Sequence, residues 1–168
     1  GLGGPGLHVH TADARPFLRS SERRWDVILV DAYRQPYIPF YLATREFFEL
    51  VRERLTPGGV VLVNVGHPEE SDALERVLTA TMAEAFPVVS RDPVKPTNVM
   101  LVAARPGGSA GGALGAAALP AELRPVAQAA FARLAPGLRG GAVYTDDRAP
   151  VEWLIDSSIL KVAAEGHR

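Results

Sequence analysis

The sequence predicts an α/β protein in which a mostly parallel sheet carries helices on both faces and closes with an antiparallel hairpin. Three observations predict it. Two runs, Val27 to Val30 and Val60 to Val63, are wholly apolar and rich in β-branched residues, the habit of strands buried on both faces. Around them lie segments with apolar residues at helical spacing, so strand and helix alternate along the chain. Finally, F-P-V-V-S and N-V-M-L-V-A-A flank the turn-rich R-D-P-V-K-P-T, which reads as a hairpin with a loop longer than the tight types.

Length and composition bound what such a protein does. At 168 residues the chain fits one domain with a sizeable core. Its 18 Lys and Arg nearly balance its 19 Asp and Glu, so no basic footprint recruits nucleic acid or an anionic membrane, and a small molecule is the expected partner. The absence of cysteine excludes disulfides, thiolate metal sites and a Cys nucleophile. No apolar run approaches the roughly 20 residues that span a bilayer, and the cytoplasm is the default location. The opening G-L-G-G-P-G lacks the regions of a signal peptide and leads abruptly into what reads as domain interior. A missing N-terminal part is therefore expected.

Taken in order, His8 to Thr11 alternates weakly as a short strand, and Pro16-Phe17-Leu18 reads as the first turn of a helix that Asp13 could cap. His8 and His10 would share a face of that strand, but no third ligand stands nearby, so no metal site is expected. The stretch W-D-V-I-L-V-D-A-Y is the organising segment. Its apolar run ends on Asp31, and in open α/β sheets ligands bind beyond the carboxyl ends of the strands. Two readings of Asp31 stand side by side: a carboxylate placed for chemistry, or a turn cap. The loop A-Y-R-Q-P-Y-I-P-F-Y that follows brings aromatic rings and hydroxyls suited either to a pocket wall or to a packed surface loop.

Thr44 stands as N-cap ahead of a helix with Phe47, Leu50, Val51 and Leu55 on one face, and Pro57-Gly58-Gly59 stops it before the strand V-V-L-V-N-V-G. Residues 68–86 read as an amphipathic helix with Leu74, Val77, Leu78, Thr81 and Met82 toward the core. After the hairpin, glycine and alanine dominate residues 107–118, marking a flexible insertion between a domain over residues 1–106 and a helical extension over 119–168. Residues 120–135 read as helical with Pro125 in or near the first turn. A last helix starts near Pro150, with Val151, Leu154, Ile155, Ile159 and Val162 on one stripe, and Asp146 and Asp147 precede it as candidate caps.

The motifs A-D-A-R, D-V-I-L-V-D-A-Y, P-F-Y-L-A-T-R-E-F-F, L-T-P-G-G-V-V-L-V-N-V and T-D-D-R-A-P-V-E, in this order, resemble the spermidine synthase-like branch of the S-adenosylmethionine-dependent methyltransferase (Rossmann-like) fold. The likeness covers most of residues 8–106 and the 144–154 tail. It implies a transferase of polyamine biosynthesis that uses S-adenosylmethionine or its decarboxylated form as donor, without a metal. A homodimer is a candidate assembly, because an uncovered apolar edge strand such as Val27 to Val30 is a site of association. In that family an Asp-Ala pair after the third strand faces the adenine, here Asp13-Ala14. The fourth strand ends in the Asp that takes the proton from the attacking amine, here Asp31, which also stands beside the nucleoside. The chemistry asks for such a group, because an ammonium has no lone pair with which to attack and a carboxylate must both hold it and accept its proton.

The departures narrow what is implied. Where spermidine synthases read D-S-S-D-P, with a second Asp that grips the polyamine, this chain has Arg34, and a cation there would repel a diamine. No hairpin Tyr matches the one expected near the amine pocket, and Tyr33 and Gln35 are the candidates to shape a different acceptor site. Nothing ahead of His8 supplies the Gly-rich loop or the ribose-binding acid. The implied sheet order is 3-2-1-4-5-7-6, so without strands one and two a His8 strand would lie roughly 14 Å from the Val27 strand. Two alternatives remain: a non-catalytic remnant of the fold acting as a binding module, and a phosphoacceptor receiver domain with Asp31 at its strand end and Lys95-Pro96 in place of the receiver lysine.

Overall fold

The computed structural model describes residues 5–32, 38–69, 71–107 and 120–165. Along them run α1 (Ala14–Ser20), β1 (Trp25–Val30), a 3₁₀ turn (Phe40–Leu42), α2 (Arg45–Arg54), β2 (Leu55–Gly66) and α3 (Ala73–Ala83). The hairpin β3 (Val89–Lys95) and β4 (Asn98–Ala104) follows, then α4 (Arg124–Arg133), the short β5 (Ala135–Pro136) and α5 (Val151–Glu165).

One mixed sheet has the order β1-β2-β4-β3-β5. Only β1 and β2 pair in parallel; β2 with β4, β4 with β3 and β3 with β5 are all antiparallel. The expectation of a mostly parallel sheet is thus corrected. The physical reason lies in the hairpin. Two crossovers through α2 and α3 do leave β1, β2 and β3 pointing the same way, but β4 turns back and inserts between β2 and β3, so one parallel contact survives where alternation alone suggested two.

The residues explain the elements locally. Asp13 caps α1 by accepting a hydrogen bond from Arg15 N at 3.0 Å, and Thr44 Oγ1 caps α2 by accepting from Phe47 N at 3.3 Å. Phe47, Phe48, Leu50 and Val51 bury the inner face of α2. β2 starts directly after α2, so Pro57-Gly58-Gly59 is not a loop ahead of the strand but a bulge within it. The register against β1 slips between Trp25 and Val27, Gly58 takes φ +79°, and a Cβ on Gly59 would stand 3.0 Å from Trp25 O.

Three further expectations shift. Helix α3 begins at Ala73 rather than near residue 68, because the carbonyl of Pro68 closes a turn onto Ser71 N at 3.0 Å. The hairpin connection is tight: β3 runs on to Lys95 with a bulge after Asp92, leaving Pro96-Thr97 as the turn. His8 to Thr11 forms no strand, having no described strand beside it to complete its hydrogen bonds. Residues 108–119, which include most of the proposed insertion, lie outside the described residues.

Burial is uneven across the sheet. Val61, Val63, Val65, Leu101 and Ala103 share one face and are fully buried with α2 and α3, and Val151 and Ile155 of α5 join the same core. On the opposite face Val27 and Leu29 of β1 are 55% and 60% exposed, which corrects the reading of that strand as buried on both sides. α4 lies over the far edge, where Arg133 donates to Asp92 of β3 through two bonds of 2.7 and 2.8 Å.

Candidate functional site

Because β4 runs antiparallel to β2, the carboxyl ends of β1 and β2 meet the amino end of β4. Three polar residues stand there. Asn64 Nδ2 donates to Asp31 Oδ1 at 2.9 Å, and Asn98 Nδ2 donates to Asn64 Oδ1 at 2.7 Å. The direction matters: Asn98 occupies the acceptor oxygen of Asn64, which turns the amide so that its N–H groups face the carboxylate. Asp31 itself is exposed.

These three residues line a cleft of about 480 Å³. Its other walls are Gly66, His67 and Pro68 from the end of β2, Leu74 from α3, and Ile155, Ser158 and Ile159 from α5. The His67 ring is held by Pro68 O at 2.8 Å from Nδ1, which makes Nδ1 the protonated nitrogen, since a carbonyl only accepts. Size and mixed lining suit a small molecule with a polar end and an apolar body.

The remaining site residues expected from the sequence lie elsewhere. Asp13 and Ala14 stand exposed at the start of α1 and do not line the cleft. Tyr33 and Gln35 lie outside the described residues. Of the glycines with positive φ, Gly6, Gly58, Gly107 and Gly140, none lines the cleft, so no glycine turn that could cradle a nucleoside closes on it among the described residues. Nor, among the described residues, does any group of three His, Asp or Glu assemble there to hold a metal.

Asn64, Asn98 and the α5 contribution were missed in the sequence. Asn64 did give a signal, as the one polar residue inside V-V-L-V-N-V, next in register after the Val30 and Val63 pair. Asn98 gave none, because an Asn beside a turn is ordinary turn chemistry. Ile159 lies on the apolar stripe of α5, yet the structure leaves it 42% exposed at the cleft.

The T-D-D-R-A-P-V-E segment is a fastener. Asp146 accepts two bonds from Arg15, at 2.8 and 2.6 Å, and one from Thr44 Oγ1 at 2.8 Å, while its own N–H donates to Glu46 at 3.0 Å. It ties α1 and the start of α2 to the C-terminal segment instead of capping α5. The Arg15 guanidinium holds the Asp146 carboxyl below its ordinary range, outweighing the opposite effect of partial burial.

The strand order β1-β2-β4-β3, with the β3–β4 hairpin placing β4 beside β2, matches the 4-5-7-6 side of the implied order, and a carboxylate stands at the tip of β1. The comparisons with known proteins name the family. The model of the spermine/spermidine synthase domain matches residues 2–97, and the chain belongs to that family. It is similar to a probable polyamine aminopropyl transferase of Bifidobacterium longum, 32% identical over 95% of this chain and 40% of the relative. A polyamine aminopropyltransferase of Vibrio vulnificus is 39% identical over 33% of this chain and 20% of its own length. Among solved structures, a probable spermidine synthase from Corynebacterium glutamicum superposes with a TM-score of 0.51 at 25% identity, covering 79% of this chain and 54% of that one. Human methyltransferase-like protein 13, solved with SAH, shares the fold at a TM-score of 0.51 and 20% identity, over 75% of this chain and 58% of its own. The chain thus spans about half the length of these relatives or less. Family membership sets the receiver alternative aside, and no described helix is long and apolar enough to cross a membrane.

Proposed function

We propose that this chain carries the acceptor side of a transferase that moves an aminopropyl or methyl group from S-adenosylmethionine, or its decarboxylated form, to an amine. The observation that carries the reading is Asp31 at the end of β1, lining the cleft with one oxygen held by Asn64. Asp31 holds the ammonium of the acceptor and takes its proton, while the Asn98–Asn64 pair fixes the carboxylate. The sulfonium of the donor supplies the activated carbon. Asp13 and Ala14, on the resemblance, belong to the adenine side, and Tyr33 and Gln35 to the acceptor side. Residues 1–106 are then part of the methyltransferase-like domain, 107–118 an insertion and 119–168 its extension.

A cytoplasmic location and pairing of two copies belong to the same reading, the second supported by β1, which has no strand beyond it among the described residues. A second reading, a non-catalytic remnant that keeps the fold for contacts, draws on the exposed Val27 and Leu29. Calorimetry of the full-length gene product with S-adenosylmethionine, its decarboxylated form and methylthioadenosine separates the two. Binding of at least one nucleoside is expected; silence with all three leaves the remnant. Once binding is seen, Asp31→Asn is expected to abolish turnover with nucleoside affinity retained, and an unchanged rate would remove Asp31 from its role.

A further inference from the structure

We propose that the amine taken by this cleft carries one positive charge and a hydrocarbon body, rather than a second ammonium. The inference rests on the acceptor-site reading above and adds the class of acceptor. The Asp31 carboxylate lines the cleft, held by Asn64 and backed by Asn98. Part of the same lining is aliphatic: Leu74 comes from α3, and Ile155 and Ile159 come from α5, beside the hydroxyls of Ser71 and Ser158. Leu74 and Ile155 are also anchored in the core.

A monoamine satisfies both the acidic and the aliphatic part of the lining. Its ammonium pairs with Asp31, and its methylene chain removes apolar surface of Leu74, Ile155 and Ile159 from water. A diamine of equal length satisfies the acidic part only, because among the described lining residues Asp31 is the one carboxylate, and the second ammonium loses hydration against the aliphatic side chains with no anionic partner to replace it. In the step this acceptor undergoes, Asp31 removes a proton from the ammonium and the freed nitrogen lone pair forms the N–C bond to the carbon on the donor sulfonium. The C–S bond breaks with its electron pair going to sulfur, giving a neutral thioether and a secondary ammonium product.

Pentylamine and 1,4-diaminobutane test the inference, because they have the same number of heavy atoms and differ by a terminal methyl in place of an ammonium. Binding to the isotope-labelled full-length protein is followed through the side-chain amide signals of Asn64 and Asn98. Pentylamine is expected to bind at least about tenfold more tightly, and Ile159→Asp, a change at a half-exposed position that leaves the core untouched, is expected to reverse the order. Equal or tighter binding of 1,4-diaminobutane by the parent protein overturns the inference, as does an unchanged order in Ile159→Asp. These readings need no turnover. A protein that binds pentylamine as expected and binds no sulfonium nucleoside refutes the transferase reading alone; one that turns over 1,4-diaminobutane in preference refutes the acceptor class alone.

Discussion

Asn64 donates to Asp31 at 2.9 Å, and a hydrogen bond to a charged group contributes about 1.5–3 kcal/mol, which is roughly a tenfold to hundredfold effect on the state it favours. Asn64→Ala in the full-length protein is therefore expected to lower turnover by at least about tenfold while leaving nucleoside affinity unchanged, as read by steady-state rates and calorimetry. A second residue-scale prediction concerns stability. Glu75 on α3 is fully buried and is paired with Arg91 of β3, which donates to Glu75 Oε2 at 3.0 Å through its terminal nitrogen and to the other oxygen through Nε. Removing the cation strands a charge in the core, so Arg91→Met is expected to cost about 3 kcal/mol in urea unfolding, and Glu75→Gln less, since Arg91 reaches solvent. At this scale the sequence made Asp31 visible because an acid ends an apolar strand. It hid Asn98, whose role depends on β4 inserting beside β2, a fact of topology that no local pattern states.

Caps and periodicity act within one element, and they were legible: Thr44 ahead of α2 and Asp13 ahead of α1 both accept the amide bonds expected of them. What joins the elements was not, because residue 15 and residue 146 are brought together only by the finished fold. The Arg15 guanidinium holds the Asp146 carboxyl below the usual carboxylate range. A depressed native value contributes stability that is present above the unfolded value and is lost as pH falls through the folded one. The difference in melting temperature between the parent and Asp146→Asn is thus expected to be constant from neutral pH to about pH 5 and to shrink below about pH 4. Calorimetric scans across that range check it, and a difference that grows on acidification would contradict the assignment. The segment that delivers Asp146 is also seated by Gly141, where a Cβ would collide with the backbone of Arg76 and Val77 on α3. Gly141→Ala is expected to destabilise by about 1–3 kcal/mol, the usual cost of overpacking, and to lower the urea midpoint.

For the molecule as a whole, the sheet has one sealed face and, among the described residues, an edge at β1 with no strand beside it. The fully buried residues Val61, Val63, Val65 and Leu101 lie on the inner strands β2 and β4, while β1 ends the sheet with Val27 and Leu29 more than half exposed. An apolar strand with no described strand on its outer side is a template for another strand, and natural edges are commonly blunted by a lysine or proline that β1 lacks. Electrostatics offers little opposition, since the net charge is −1 and the isoelectric point is about 6.5. The 168-residue chain is therefore expected to self-associate through β1, most strongly near pH 6.5, with a weight-average mass that rises above 18.0 kDa with concentration in sedimentation equilibrium. Leu29→Lys places a charge on the exposed face of that strand without touching the core, and it is expected to return the mass to that of one chain. Association that persists in Leu29→Lys would move the contact off β1 and onto other exposed apolar residues, such as Trp153 and Leu160 of α5.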